Sequence, residues 1–182
     1  MGTSKKNRII AAVRTEEEFD NALKSDVGII FYLMPDLHTV ESMAKKTHKA
    51  SKKLFIHLDL ATGIGKDKSG IMFVKNAGVD GVISTRVNII RTARECGMFT
   101  VQRFFIVDSH SIDTTVEAVK TSKADMIEVM PGIIPKVISK LRKIMDVPII
   151  AGGIVDNAQE IEEIINSGAT AISTGKNELW NL

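Results

Sequence analysis

Cysteine is nearly absent from this chain: the one present, Cys96, excludes an internal disulfide and fits a reducing compartment. It stands in Arg94-Glu-Cys-Gly97, at an expected helix end with no histidine beside it in sequence, which favours packing over nucleophilic chemistry. No apolar run approaches the roughly twenty residues that a membrane span needs. The opening Met1-Gly-Thr-Ser-Lys-Lys6 lacks the apolar core of a signal peptide, so a soluble, cytoplasmic protein is expected. Neither sign of charge dominates: 24 basic and 22 acidic residues leave a net charge of +2, which excludes a strongly basic nucleic-acid-coating protein and makes any polyanion contact local. No His-x-x-x-His or paired-cysteine spacing offers a metal centre, no Gly-x-Ser-x-Gly elbow offers a serine nucleophile, and no cofactor is expected. No linker, low-complexity tract or second composition zone interrupts the chain.

What is present is the material of one domain, residues 1–182, with a hydrophobic fraction of 44% that makes disorder unlikely on composition alone. Short β-branched apolar runs alternate with longer amphipathic segments, the pattern of parallel βα units. Strands are expected at Arg8 to Val13, Val27 to Met34, Leu54 to Leu60, Gly81 to Thr85, Thr100 to Val107, Met126 to Met130, Pro148 to Ala151 and Ala169 to Thr174. Thr15-Glu-Glu-Glu18 is a capping box, and Asn157 can cap a helix with Ile161, Ile164 and Ile165 on one apolar face. Asn76-Ala-Gly-Val-Asp-Gly-Val-Ile-Ser84 and Asn166-Ser-Gly-Ala-Thr-Ala-Ile-Ser173 repeat one phrase, a helix that ends at glycine with an apolar strand at once behind it. Eight such units over 182 residues leave about 23 residues each, against about 30 in a typical barrel, so a compact (β/α)8 TIM-type barrel with parallel strands and short helices is expected. The rival, a doubly wound sheet, calls for Gly-x-Gly-x-x-Gly after the first strand, and Ile10-Ala-Ala-Val-Arg14 contains no glycine.

The last quarter points to a ligand. Val147-Pro-Ile-Ile-Ala-Gly-Gly-Ile154 and Ala169-Thr-Ala-Ile-Ser-Thr-Gly175 are two apolar strands that end in glycine. Phosphate oxygens must be met by backbone N–H groups, and a side chain on the contacting residue holds them away; barrels place such donors after strands seven and eight. Gly152, Gly153, Thr174, Gly175 and Lys176 occupy those places, which makes a small phosphorylated ligand the first hypothesis; the plainer alternative is that these glycines only shape turns.

Side chains for the rest of such a ligand would come from the carboxyl ends of other strands. In Leu54-Phe-Ile-His-Leu-Asp-Leu60, alternation puts His57 and Asp59 on one face. Glu128 sits in an apolar run, where a carboxylate is costly unless paired; it meets a ligand, as Arg103 of the neighbouring strand also could, or it pairs with Arg103 as barrel filling, and both can hold at once. Lys66, in the glycine-bearing loop Ala61-Thr-Gly-Ile-Gly-Lys-Asp-Lys-Ser-Gly70, could reach over the mouth to an anion or simply be solvated, and Arg14 and Arg86 are further rim cations. The histidines His38, His48, His57 and His110 are scattered and read as structural. One feature faces outward: Ala44-Lys-Lys-Thr-His-Lys-Ala-Ser-Lys-Lys53 carries Lys45, Lys46, Lys49, Lys52 and Lys53 without an acid, and helix six adds Lys136, Lys140, Arg142 and Lys143. Such clusters can contact an RNA backbone or form a solvated helix end.

Taken together, Ile9-Ile-Ala-Ala-Val-Arg14, Phe55-Ile-His-Leu-Asp-Leu60 with Gly65-Lys-Asp67, Asp80-Gly-Val-Ile-Ser-Thr85, Gln102-Arg103 with Val107-Asp-Ser109, Ile127-Glu-Val-Met-Pro-Gly132 and Pro148-Ile-Ile-Ala-Gly-Gly-Ile154 resemble the glycerol uptake operon antiterminator (GlpP-like) family over nearly the whole chain. The resemblance implies a regulator that binds glycerol 3-phosphate as effector and acts on the leader mRNA of glycerol-utilisation genes, preventing early termination. It implies phosphate on Gly152, Gly153, Gly175 and Lys176, the glycerol hydroxyls near Asp59 or Glu128, and an RNA contact on the barrel's own surface, with ligand binding ordering the Gly63-Ile-Gly65 loop or a dimer surface. The rival readings are a barrel isomerase or lyase for a phosphorylated metabolite, which requires a general acid and base either side of the substrate, and a sensor acting through a protein partner. Leu179 and Trp180 are expected to close the barrel bottom, a subunit contact in a homo-oligomer being the alternative.

Overall fold

The computed structural model describes residues 8–182, so the opening hexapeptide Met1–Lys6 lies outside the described residues. Eight strands close a parallel barrel: β1 Ile9–Val13, β2 Ile29–Tyr32, β3 Lys53–His57, β4 Gly81–Ser84, β5 Phe99–Phe105, β6 Met126–Met130, β7 Ile149–Gly152 and β8 Ala171–Thr174, with β8 pairing back to β1. Seven helices alternate with them: α1 Glu16–Lys24, α2 Val40–Lys49, α3 Lys68–Asn76, α4 Val87–Glu95, α5 Ser109–Ser122, α6 Pro135–Ile144 and α7 Ala158–Asn166.

Local chemistry accounts for the boundaries. The Thr15 side chain accepts from Glu18 N while Glu18 reaches back to the Thr15 N–H, the expected capping box; Asn157 caps α7 through Glu160 N. Gly78 and Gly168, just past the ends of α3 and α7, adopt φ of 91° and 111°, a region where a β-carbon is unfavourable, and this lets the chain turn directly into β4 and β8. The third strand is shorter than alternation suggests. It ends at His57, and Leu58–Leu60 form a 3-10 turn, so Asp59 is carried by a turn rather than by strand pleat. Likewise β2 covers only Ile29–Tyr32; Leu33 N still donates to Val13 O at 2.8 Å, and the chain then turns towards α2.

Inside the barrel a lower apolar layer includes Ile10, Phe31, Phe55, Ile83, Val101 and Ile150. Gly81 is required here, since a β-carbon would run into the Phe55 ring. The outer walls pack against the helices through two further clusters, one around Phe19, Leu54, Ile56 and Ile71 and one around Ile127, Ile138, Leu141 and Ile149. Burying each of these large side chains contributes about 1.5–3 kcal/mol relative to exposure. An eighth full helix is not among the described elements; after β8 the chain makes a 3-10 turn, Asn177–Leu179, and Trp180 is buried in the outer cluster with Phe19 and Ala22. Its Nε1 donates to Thr174 O at 2.9 Å. The sequence suggests that Trp180 closes the barrel bottom; instead it completes the outer wall with Phe19 and Ala22, because the short turn brings it back along the outside of its own strand.

Candidate functional site

Above the apolar layer, towards the carboxyl ends of the strands, the barrel interior turns polar. Inward positions of β3, β5, β6 and β8 carry His57, Arg103, Glu128 and Ser173, all 6% exposed or less. Arg103 and Glu128 are direct register partners on β5 and β6, so Arg103 Nε donates to Glu128 Oε2 at 2.6 Å. Ser173 Oγ donates to the other oxygen, Glu128 Oε1, at 2.5 Å. Each carboxylate oxygen thus accepts one hydrogen bond inside the barrel, and register makes Glu128 the partner of Arg103, the barrel-filling arrangement that the sequence offered. Breaking such a pair from one side leaves a buried charge, at a cost of about 3–5 kcal/mol.

This arrangement also explains Gly152. A β-carbon there would lie 2.8 Å from Glu128 Oε1 and closer still to Ser173 Oγ. Glycine at this position makes room for the lodged carboxylate, a requirement that sequence alone assigns to phosphate. Gly153, at φ 74°, follows on the rim. Across from it, Thr174 Oγ1 accepts from Lys176 N at 3.1 Å, which turns that hydroxyl into its own loop. Gly175 is exposed, and Lys176 Nζ lies 2.9 Å from Asp156 Oδ1, an ion pair joining the loops after β7 and β8 with both side chains about half exposed. Its hydrogen bond with Asp156 raises the Lys176 pKa. The five rim positions adjoin as expected, but Lys176 and Thr174 are already engaged.

Asp59 stands at the same end of the barrel, on its 3-10 turn. It accepts from Ser84 Oγ at 2.6 Å, Thr85 N at 2.8 Å and Thr85 Oγ1 at 2.9 Å. Burial alone would raise its pKa, yet these donors outweigh burial and hold the carboxyl below its ordinary value. Its Oδ2 lies 3.7 Å from His57 Nε2. Among the described residues neither nitrogen of His57 has a hydrogen-bond partner, nor does Arg103 Nη2. Burial, reinforced by the Arg103 charge and opposed by Asp59, lowers the His57 pKa to about 4, so the ring is neutral at physiological pH. His57 and Ser173 are the residues that sequence reasoning undervalued. The signal for Ser173 was its alternation with Ala171 on an inward face; for His57 it was a polar side chain inside an apolar strand.

The remaining cations separate. Lys66 folds back, donating to Ala61 O and to Ile64 O at 2.8 Å, and therefore does not reach across the mouth. Its loop is further knit by Asp67 Oδ1 on Gly70 N, with Gly70 packed so tightly on Gly65 that a β-carbon there would strike the Gly65 carbonyl. The guanidinium groups of Arg14 and Arg86 have no hydrogen-bond or ion-pair partner among the described residues. The lysine run of α2 is not a uniform basic face: Lys45 pairs with Glu41 at 2.6 Å, Lys46 lies 4.0 Å from Asp20, and Lys53 pairs with Asp80 at 2.8 Å. Lys52 is buried, and Nζ donates to Ser25 O and Val27 O at 2.6 and 2.5 Å. Of this run only Lys49 lacks a partner among the described residues. The run straddles a helix end and a strand start, so Lys52 and Lys53 are absorbed at the amino-terminal end of the barrel. On α6, by contrast, Lys136, Lys140 and Lys143 have no acid partner among the described residues, and Arg142 bonds the Met145 and Asp146 carbonyls at 3.2 and 3.1 Å. No metal-suited group of three or more His, Cys, Asp or Glu occurs among the described residues, and no described helix is long and apolar enough to cross a membrane.

The family model described as "Glycerol-3-phosphate responsive antiterminator" matches residues 9–180. The crystal structure of a glycerol uptake operon antiterminator regulatory protein from Listeria monocytogenes str. 4b F2365 superposes with a TM-score of 0.90 at 30% identity, covering 99% of this chain and 97% of that one. A glycerol uptake operon antiterminator-related protein from Thermotoga maritima MSB8 superposes with a TM-score of 0.85 at 32% identity, covering 96% and 98%. The uncharacterized protein YgcP of Escherichia coli (strain K12) is 35% identical over 179 residues, 98% of this chain and 94% of that protein. The chain belongs to the glycerol-3-phosphate responsive antiterminator family.

Proposed function

We propose that this protein is a regulator that takes glycerol 3-phosphate at the carboxyl-terminal mouth of its barrel and, with the ligand bound, acts on the leader mRNA of glycerol-utilisation genes without transforming the ligand. The observation that carries the reading is the family match over residues 9–180. The site supports it. The phosphate has the rim at Gly153, Gly175 and Lys176, where the lysine can exchange Asp156 for the ligand. The two internal carboxylates, which an isomerase or lyase would need free, are held by their own neighbours: Glu128 by Arg103 and Ser173, Asp59 by Ser84 and Thr85. That favours binding over acid–base turnover.

For the RNA, the face that fits best is α6, whose lysines stay uncompensated, rather than the α2 run. The first test is thermal stability in the presence of glycerol 3-phosphate and a panel of three-carbon to five-carbon phosphates, since a ligand specific to the folded state raises the melting temperature. A shift with a sugar phosphate and none with glycerol 3-phosphate would remove the effector reading. The second is binding to a glycerol-operon leader RNA, expected to strengthen with effector and weaken steeply with salt. Absence of binding at low salt with effector present would favour a protein partner.

A further inference from the structure

Among the described residues, three polar atoms inside the barrel mouth have no hydrogen-bond partner: His57 Nδ1, His57 Nε2 and Arg103 Nη2, on side chains that are 5% and 6% exposed. Buried polar atoms are nearly always satisfied by protein, water or ligand, so a cluster that the fold itself leaves open under the rim has free hydrogen-bonding capacity to offer there. These atoms share the upper layer of the barrel, directly under the rim, with the Glu128 carboxylate lodged against Gly152.

The charges around them decide what they can take. Arg103 is neutralised by Glu128 at 2.6 Å, and the remaining charge, Asp59, is negative and 3.7 Å from His57. A second anionic group would enter a floor that carries no net positive charge, and would lose its hydration there. Burial keeps the His57 ring neutral, so it offers one donor and one acceptor, while Arg103 Nη2 adds a donor. A hydroxyl group donates and accepts at once, and matches that set where a carboxylate, which only accepts, does not.

We infer that His57 and Arg103 Nη2 form a floor that reads the uncharged hydroxyls of a polyol phosphate, with Glu128 and Ser173 as positioning residues that hold Arg103 in place. The inference rests on the proposed effector reading in one respect, the placing of the phosphate above the floor at the rim. Floor and rim lie at the same end of the barrel: Gly152 on β7 backs the Glu128 carboxylate that holds Arg103, and Gly153 begins the rim next to it. The floor makes the site selective at the end opposite the phosphate.

The test compares three phosphates by calorimetry on the full chain: glycerol 3-phosphate, propyl phosphate, which has the same carbon chain without hydroxyls, and 3-phosphoglycerate, which puts a carboxylate where glycerol 3-phosphate has its terminal hydroxymethyl. Glycerol 3-phosphate is expected to bind at least about tenfold more tightly than either, because the analogues leave floor groups unpaired or bring an unwanted charge. In His57→Phe the advantage of glycerol 3-phosphate over propyl phosphate should collapse to within about twofold. Equal affinity of the wild type for the first two, tighter binding of 3-phosphoglycerate, or an advantage that survives in His57→Phe each overturns the floor and leaves the effector reading standing. The wild-type protein supplies a second readout, the imidazole ¹⁵N signals of His57. They should move with glycerol 3-phosphate and stay unmoved with inorganic phosphate; movement with inorganic phosphate would mean that the floor binds anions and would overturn the inference. If no phosphate ester binds, the effector reading falls by itself, and the same signals followed in molar glycerol decide the floor, with no movement counting against it.

Discussion

At the scale of the residue, the buried pair and the buried ring make opposite demands on pH and on mutation. His57 has a folded pKa of about 4, below the ordinary 6.5 of the unfolded chain. The unfolded state therefore binds the extra proton first, and stability falls as pH is lowered from 6.5 towards 4, by about 3 kcal/mol if His57 acted alone. Asp59, held below its ordinary value, contributes stability that is lost at still lower pH, and because it faces His57 at 3.7 Å the two groups titrate as a pair. In His57→Gln the slope of unfolding free energy between pH 6.5 and 4 should largely vanish; denaturant melts across that range check it, and an unchanged slope would place the titration elsewhere. For the ion pair, Arg103→Met is expected to destabilise by about 3 kcal/mol, and the double variant with Glu128→Leu by less than Arg103→Met alone, since the double change removes the stranded charge. Additive losses would show that the pair is not coupled.

At the scale of the element, helix starts separate what is capped by side chain from what is not. Thr15 holds α1 through Glu18 N at 3.2 Å, whereas Thr39, at the start of α2, makes no capping bond. Thr15→Ala should cost about 1 kcal/mol and Thr39→Ala close to nothing in urea melts. Equal losses would mean that packing rather than capping sets both helix starts. The strands show where local reading stops. Alternation across Leu54–Leu60 correctly brought His57 and Asp59 near one another, but for the wrong geometric reason, because the chain leaves the ladder at His57 and turns. A period of two describes a strand only while its ladder persists, and the ladder's length is decided by neighbouring strands. The helix-end glycines Gly78 and Gly168, by contrast, were legible, since a left-handed φ is a property of the residue itself.

At the scale of the whole molecule, the barrel closes with seven described helices and a short carboxyl-terminal turn, so Trp180 covers wall that would otherwise face water. Trp180→Ala should lower stability by about 3–5 kcal/mol, read as a lower melting temperature, and a change under 1 kcal/mol would mean that the wall does not need it. For the outer surface, Lys136→Glu with Lys140→Glu is expected to weaken leader RNA binding and flatten its salt dependence, while Lys45→Glu with Lys46→Glu changes it little; the reverse result would return the contact to α2. The sequence by itself determined the barrel, the helix caps, the polar and glycine-bearing carboxyl ends and the family, because periodicity, capping and backbone preference act over a few residues and survive in linear order. Only the tertiary structure decided which polar groups are spoken for. Glu128 and Ser173 are 45 residues apart in sequence yet share a hydrogen bond. Gly152 looks like a phosphate loop until the carboxylate behind it is seen, and Lys52 looks like an exposed cation until its two carbonyl partners are placed. The availability of a charge or a donor depends on what stands within about 3 Å of it, and in a closed barrel that neighbour comes from a different strand or loop.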